Sequence, residues 1–447
     1  MVIISFHSET KSIYIGFLNK TNMDILDILN PWWKDGKVSS ELAPAYRREV
    51  FPVVSKLMAG KQITALSGLR RTGKSTIMYQ LISDELRSLG NSQRILYFSF
   101  DEKVLDVFDV LERYSGLTGI DWKKEKVLIF FDEIQKLEDW SSRLKLLYDS
   151  HPNLKIIVSG SAGFLIEKDF RLNLAGRHFL VTVSPLSFRE FLELRNSKID
   201  LSKQKLWEPE IKKEFEDYLL RPFPEIANVN ELSLVKSYIK STIIDKILRV
   251  DLGEKFKNLN ESLLTSLLDL FFGNPGYYLN YDSLSKDLKV SKKTLMKHVY
   301  YLEFACLARK INNYRPKQKT TSRKLQRLYP FHFSLEFGWT GKISSETIVA
   351  SLLDAKNYWR KNGREVDFLL AGTELVPVEV KQTAQPTRED FENLKYFMDK
   401  FNASPGALLV YNGEEKKHSY RDKTILALPF WKLALGKPFD DRDLRIH

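Results

Sequence analysis

Gly68-Leu69-Arg70-Arg71-Thr72-Gly73-Lys74-Ser75 fits G-x-x-x-x-G-K-[ST], the spacing of a phosphate-binding loop. The flanks agree with it. Residues 62–67 read as a short buried strand, and Lys74 opens a helix whose apolar positions are Met78, Leu81, Ile82 and Leu86. Strand, glycine loop and helix together aim backbone N–H groups and a helix N-terminus at phosphate. In that arrangement Gly68 to Ser75 and the following Thr76 cradle ATP. Lys74 lies between the β- and γ-phosphates, and Ser75 holds Mg²⁺.

Alternating strand and helix signals follow: strands over 94–98, 127–131, 155–159 and 179–183, with helices over 104–114 and 141–148. That alternation predicts a parallel sheet covered on both faces. The run Val127-Leu128-Ile129-Phe130-Phe131-Asp132-Glu133 is an apolar strand ending in two acids, a Walker B pattern. Asp132 is the candidate Mg²⁺ ligand and Glu133 the group that polarises the attacking water. Ser159, at the tip of the next strand, is the candidate γ-phosphate sensor. Arg177 is read as reaching an ATP phosphate in cis, or a neighbour's in trans as an arginine finger of a homo-oligomer; a surface arginine is the plainer reading. Ahead of the loop, Asn30-Pro31-Trp32-Trp33 leads to an amphipathic helix over 46–58, expected to cover the base.

The chain has 447 residues, a hydrophobic fraction of 43% and a net charge of +12. Its length predicts several domains with ordinary cores. The single cysteine, Cys306, forms no intramolecular disulfide and suits a reducing, cytoplasmic setting. No apolar run approaches the ~20 residues that span a membrane, so no membrane partner is expected. Residues 1–22 lack the pattern of a signal peptide, and Met23 is an alternative start.

The charge is concentrated. Between Lys286 and Arg327 there are thirteen Lys/Arg, opposed only by Asp287 and Glu303. The same segment reads as a helix-turn-helix: a short helix over 284–288, a turn capped by Ser291, and a longer helix over 292–307. Lys292, Lys293, Lys297 and His298 are expected on its exposed face. Arg315, Lys317 and Lys319 lie in a basic stretch that reads as a wing. A basic winged helix predicts contact with DNA phosphate, although such modules also dock proteins.

Further on, Asp367 and Glu379-Val380-Lys381 form D-x₁₁-E-x-K on a strand hairpin, with Glu346 on a preceding helix. Glu379 and Lys381 share one strand face. Asp367 and Glu379 are candidate ligands for a second divalent ion with Glu346 as the additional acid, and Lys381 is a candidate catalytic group for phosphodiester hydrolysis.

Taken together, the P-loop, Asp132-Glu133-Ile134-Gln135, Trp140, Ser159-Gly160-Ser161, residues 174–177 and residues 185–192 resemble the prokaryotic AAA-type (AAA+/ASCE) ATPases with a C-terminal nuclease-like domain. Asn30-Pro31-Trp32-Trp33 resembles the archaeal members. The resemblance implies an α/β chain: a lead-in over 1–27, a P-loop NTPase core with a five-stranded parallel sheet over 28–195, a helical lid or connector over 196–260, a winged helix over 261–328, and an α/β PD-(D/E)xK nuclease-like domain over 329–447. One departure stands out: the family often has an aspartate in the strand after the wing, where this chain has His332. The readings left open are an ATPase that drives DNA processing, an ATP switch with a silent docking domain, and a DNA motor without cleavage.

Overall fold

A computed structural model describes residues 24–88, 90–103, 105–161, 163, 172–315, 325–371, 375–401 and 406–436. The chain forms two compact units, 1–184 and 185–447.

The first unit is built on five strands: β1 (Ile63–Gly68), β2 (Ile95–Ser99), β3 (Val127–Asp132), β4 (Leu154–Ser161) and β5 (His178–Thr182). Their order is β2-β3-β4-β1-β5, parallel throughout. The two motif-bearing strands, β1 and β3, are both interior, with β4 between them. β1 is buried at every position and β3 at all but Leu128, as a strand covered on both faces requires. Helices Lys74–Ser88, Val107–Thr118 and Trp140–Ser150 supply the cover.

The lead segment packs on the edge strand β2. Trp32 and Trp33 both donate their indole N–H to Ile95 O, and the Asn30 amide bonds Tyr97 O and N. The helix expected over 46–58 is shorter, Phe51–Leu57. A buried lysine closes the far end of the sheet. Lys155 Nζ donates to Leu57 O, Gly60 O and Gln62 O at 2.8, 2.8 and 2.6 Å, and burial lowers its pKa to about 8.

The segment 185–192 lies in the second unit. Its helix, Phe188–Leu194, begins with a capping box in which Ser187 and Glu190 each bond the other's backbone N–H. Helices Glu208–Leu220 and Leu232–Tyr238 follow, the latter running on into wider π turns at Ile239–Ile244 and Ile247–Asp251.

Then comes helix Glu261–Gly273, β6 (Tyr277–Leu279), helices Tyr281–Asp287 and Lys292–Phe304, β7 (Ala308–Asn313) and β8 (Gln326–Pro330). β8 pairs antiparallel with both β6 and β7. Past helices Phe333–Thr340 and Ser345–Leu352, β9 (Asn357–Lys361), β10 (Arg364–Ala371) and β11 (Leu375–Val380) form an antiparallel meander. β12 (Gly406–Tyr411) pairs parallel with β11 and with β14 (Lys423–Pro429), and β13 (Lys416–Tyr420) pairs antiparallel with β14.

Among the described residues of the second unit, the nine strands β6–β14 belong to one sheet, ordered β13-β14-β12-β11-β10-β9-β7-β8-β6. The join is the parallel pairing of β7 with β9 at Asn312–Asn357 and Asn313–Tyr358. A boundary at 328/329 therefore falls inside β8, and the segments expected as separate domains share a sheet. No helix among the described residues is long and apolar enough to cross a membrane.

Candidate functional site

At the C-terminal end of β1 the chain turns sharply into its loop. Gly68 is required there: a Cβ would come 2.1 Å from Val183 O. Arg71 (φ 66°) and Gly73 (φ 92°) adopt left-handed backbone, which curls the loop before the helix. Thr72 Oγ1 donates to Leu69 O at 3.0 Å, and Lys74 Nζ donates to Leu69 O at 2.9 Å and Gly68 O at 3.2 Å. Leu69 is buried, whereas Arg70 and Thr76 are partly exposed. An arginine that sequence reading did not single out braces the loop from outside. Arg48 donates to Thr72 O at 2.5 Å and to Ser184 O at 2.9 Å.

Asp132 ends β3 directly across from Ser75, whose Oγ donates to Asp132 Oδ2 at 2.6 Å. Tyr97 on β2 donates to the same oxygen at 2.8 Å. Ser159 on β4 donates to Asp132 Oδ1 and accepts from Glu133 N at 3.3 Å. Tyr97 was missed because its position within an apolar strand looks like core; only its register beside β3 reveals it. Glu133 itself has left-handed backbone (φ 52°), a strained state for a glutamate. Its Oε2 accepts from Gln135 Nε2 at 2.5 Å. Burial raises the pKa of Glu133, and the Lys74 and Arg70 cations oppose that rise.

The contacts of Arg177 do not fit the reading of an ATP contact in cis. Its backbone O accepts from Ile63 N, so it stands where β1 begins, while the loop leaves where β1 ends, roughly 16 Å away. Its guanidinium forms a fork with Asp149 at 2.7 and 3.1 Å. A contact in cis with a phosphate on Lys74 is out of reach.

In the second unit, Lys381 Nζ bonds Glu379 Oε1 at 2.9 Å, with Asp390 at 3.7 Å. Asp367 Oδ2 accepts from Val380 N at 2.9 Å. Burial, then the charges of Glu379 and Glu346, hold Asp367 well above the usual carboxylate range. Burial also raises Glu379, against the pull of Lys381.

Glu346 does not join these acids at an open metal position. Arg327, from β8, stands among them: it bonds Glu346 Oε2 and Glu365 Oε1 at 2.9 Å each and lies 4.0 Å from Asp367 Oδ1. Among the described residues no three His, Cys, Asp or Glu side chains are grouped to hold a metal ion, which corrects the reading of Glu346, Asp367 and Glu379 as an assembled ligand set. His332 is remote from any such role: it caps helix Phe333–Thr340, and burial lowers its pKa to about 3.

Comparison with known proteins draws a similar division, with the match to the first unit running on through residue 192 of the second. The family model described as an AAA domain matches residues 60–192. The first unit carries a P-loop ATPase domain of the AAA type. Two models of domains of unknown function, DUF8612 and DUF4143, match residues 212–334 and 345–433.

An uncharacterized protein of Methanocaldococcus jannaschii is 27% identical over 85% of this chain and 89% of its own length. A second from that organism is 30% identical over 60% of each. An uncharacterized protein of Haemophilus influenzae is 26% identical over 76% of this chain and 87% of its own. Among solved structures, the RuvB Holliday junction branch migration motor of Thermotoga maritima is 16% identical, with 62% of this chain and 93% of that chain covered at a TM-score of 0.29, too low to bear on the fold.

The basic segment of the second unit is less free than its charge count implies. Lys293, Lys297 and Arg315 are exposed. Lys292 pairs with Asp282 at 2.7 Å, and Lys310 pairs with Glu303. Arg309, partly buried, and Arg327, buried, are held by acids and carbonyls. His298, expected on the exposed face, is in the core, its ring bonded to Thr294 O and Asn260 N. Lys317 and Lys319 lie outside the described residues.

Proposed function

We propose that this protein binds ATP with Mg²⁺ and hydrolyses it at the loop of the first unit, and that the second unit is a winged-helix and nuclease-like module that engages DNA. The 2.6 Å bond from Ser75 to Asp132 carries the first part. It brings the P-loop hydroxyl and the Walker B carboxylate together from elements far apart in sequence, the donor set that suits Mg²⁺. The ion's chemistry is to offset charge on the phosphate oxygens.

Lys74 and the loop N–H groups bind and orient the triphosphate. Ser159 and Tyr97 fix the Asp132 carboxylate by hydrogen bonds to both of its oxygens. Glu133, beside it, receives or directs the proton of the attacking water. Gln135 holds that carboxylate in place. Residues 44–48, tied to the loop helix by Gln80 and to Thr72 by Arg48, are the segment suited to cover the base.

DNA as the second unit's ligand is supported by its helix, strand, helix, helix, strand, strand order over Glu261–Pro330 and by the exposed Lys293, Lys297 and Arg315. The test is ATP turnover with and without duplex or branched DNA. Stimulation that fades with rising salt is expected. Turnover indifferent to DNA, with no salt-sensitive binding, would remove the DNA part; turnover surviving Lys74→Ala would remove the ATP part. The position of Arg327 favours binding without cleavage over a working nuclease.

A further inference from the structure

Arg327 is enclosed by a pocket built for a guanidinium. Glu346 approaches from helix Ser345–Leu352 and Glu365 from β10, each at 2.9 Å. Asp367, two residues along β10, completes the acid side at 4.0 Å. The rings of Tyr329, Tyr278 and Tyr358 surround the cation with centroids 5.2, 5.4 and 5.7 Å away. Arg327 Nε donates to Gly276 O at 3.2 Å. Gly276 leaves the room: a Cβ there would come 2.5 Å from Arg327 Nη2. The side chain is 9% exposed.

A divalent ion recruited by Glu346 and Asp367 would compete with the guanidinium for Glu346 Oε2 and Asp367 Oδ1, and a fixed positive charge repels it. Arginine cannot step aside by losing its proton. Resting on the nuclease-like reading of the second unit, we propose that Arg327 is the resident cation of this acid pocket, so that the unit excludes divalent metal and holds DNA without cutting it. The D-x₁₁-E-x-K set then serves as an ion network: Glu346 and, at longer range, Asp367 answer Arg327, and Glu379 answers Lys381 through Oε1, its Oε2 being buried without a hydrogen bond.

The test is Mn²⁺ binding, followed by electron paramagnetic resonance, to the full chain carrying Lys74→Ala and free of nucleotide. The chain with Arg327 is expected to hold no Mn²⁺ that depends on Asp367. Arg327→Gln is expected to gain one Mn²⁺ per chain, lost again on adding Asp367→Asn. Arg327→Lys, which keeps a cation, is expected to gain none. Mn²⁺ bound with Arg327 in place and lost in Asp367→Asn overturns the proposal, as does a folded Arg327→Gln chain that gains no ion. Should Arg327→Gln not fold, the comparison of Arg327 chains with and without Asp367→Asn still decides. Asp367-dependent Mn²⁺ accompanied by DNA nicking would end this proposal and keep the nuclease-like reading. Absence of DNA binding would end the DNA part of that reading and leave the Mn²⁺ result standing.

Discussion

Asp132 receives three hydroxyls, from Ser75, Tyr97 and Ser159, each on a different element. So tightly held a carboxylate is an anchor, and the neighbouring Glu133 is the group with chemical latitude. Glu133→Gln keeps the shape and the contact with Gln135 but cannot take a proton. Turnover should fall ~10²–10⁴-fold with ATP affinity retained, read by steady-state kinetics alongside nucleotide binding.

A second carboxyl titrates where it can be seen. Burial raises Glu336 to about 7, opposed by hydrogen bonds from Thr347 and from Ser344 N and Oγ. Its pKa is higher folded than unfolded, so the folded state binds the extra proton. That stability is fully present below the unfolded value and is lost as pH rises through about 7. Urea unfolding should show a chain less stable at pH 8 than at pH 5 by on the order of 3 kcal/mol from this group. In Glu336→Gln that increment should vanish.

Among the elements, β1 and its loop are the least tolerant. Gly68→Ala must push the loop away from Val183 O, which would lie 2.1 Å from the new Cβ. The change should abolish nucleotide binding while Gly116→Ala, with open space around it, should not. Calorimetric ATP titration of the two variants checks this. Ser187→Ala removes half of a capping box and should cost ~1 kcal/mol in the second unit, measured by denaturant unfolding.

The parallel core was readable from sequence because its strands are continuous apolar runs and its motifs are local. The D-x₁₁-E-x-K hairpin was readable for the same reason. Arg327 was not: inside a run of thirteen basic residues it looks like surface charge, and its acids come from positions 346, 365 and 367. Arg48 and Tyr97 are likewise defined by contacts far along the chain. His298 did carry a signal. It lies three residues after Leu295 and four before Leu302, on the apolar stripe of its helix.

At the scale of the whole molecule, the proposed ATP cycle of the first unit needs a route onward. Arg48 offers a starting point. One planar guanidinium grips both the loop, at Thr72 O, and the chain's exit from the first unit, at Ser184 O. Such a fork bends poorly and stretches hardly at all. Tension on the chain at residue 184 is thereby a force on the phosphate loop. A single side chain thus ties the phosphate loop to the last residue of the first unit.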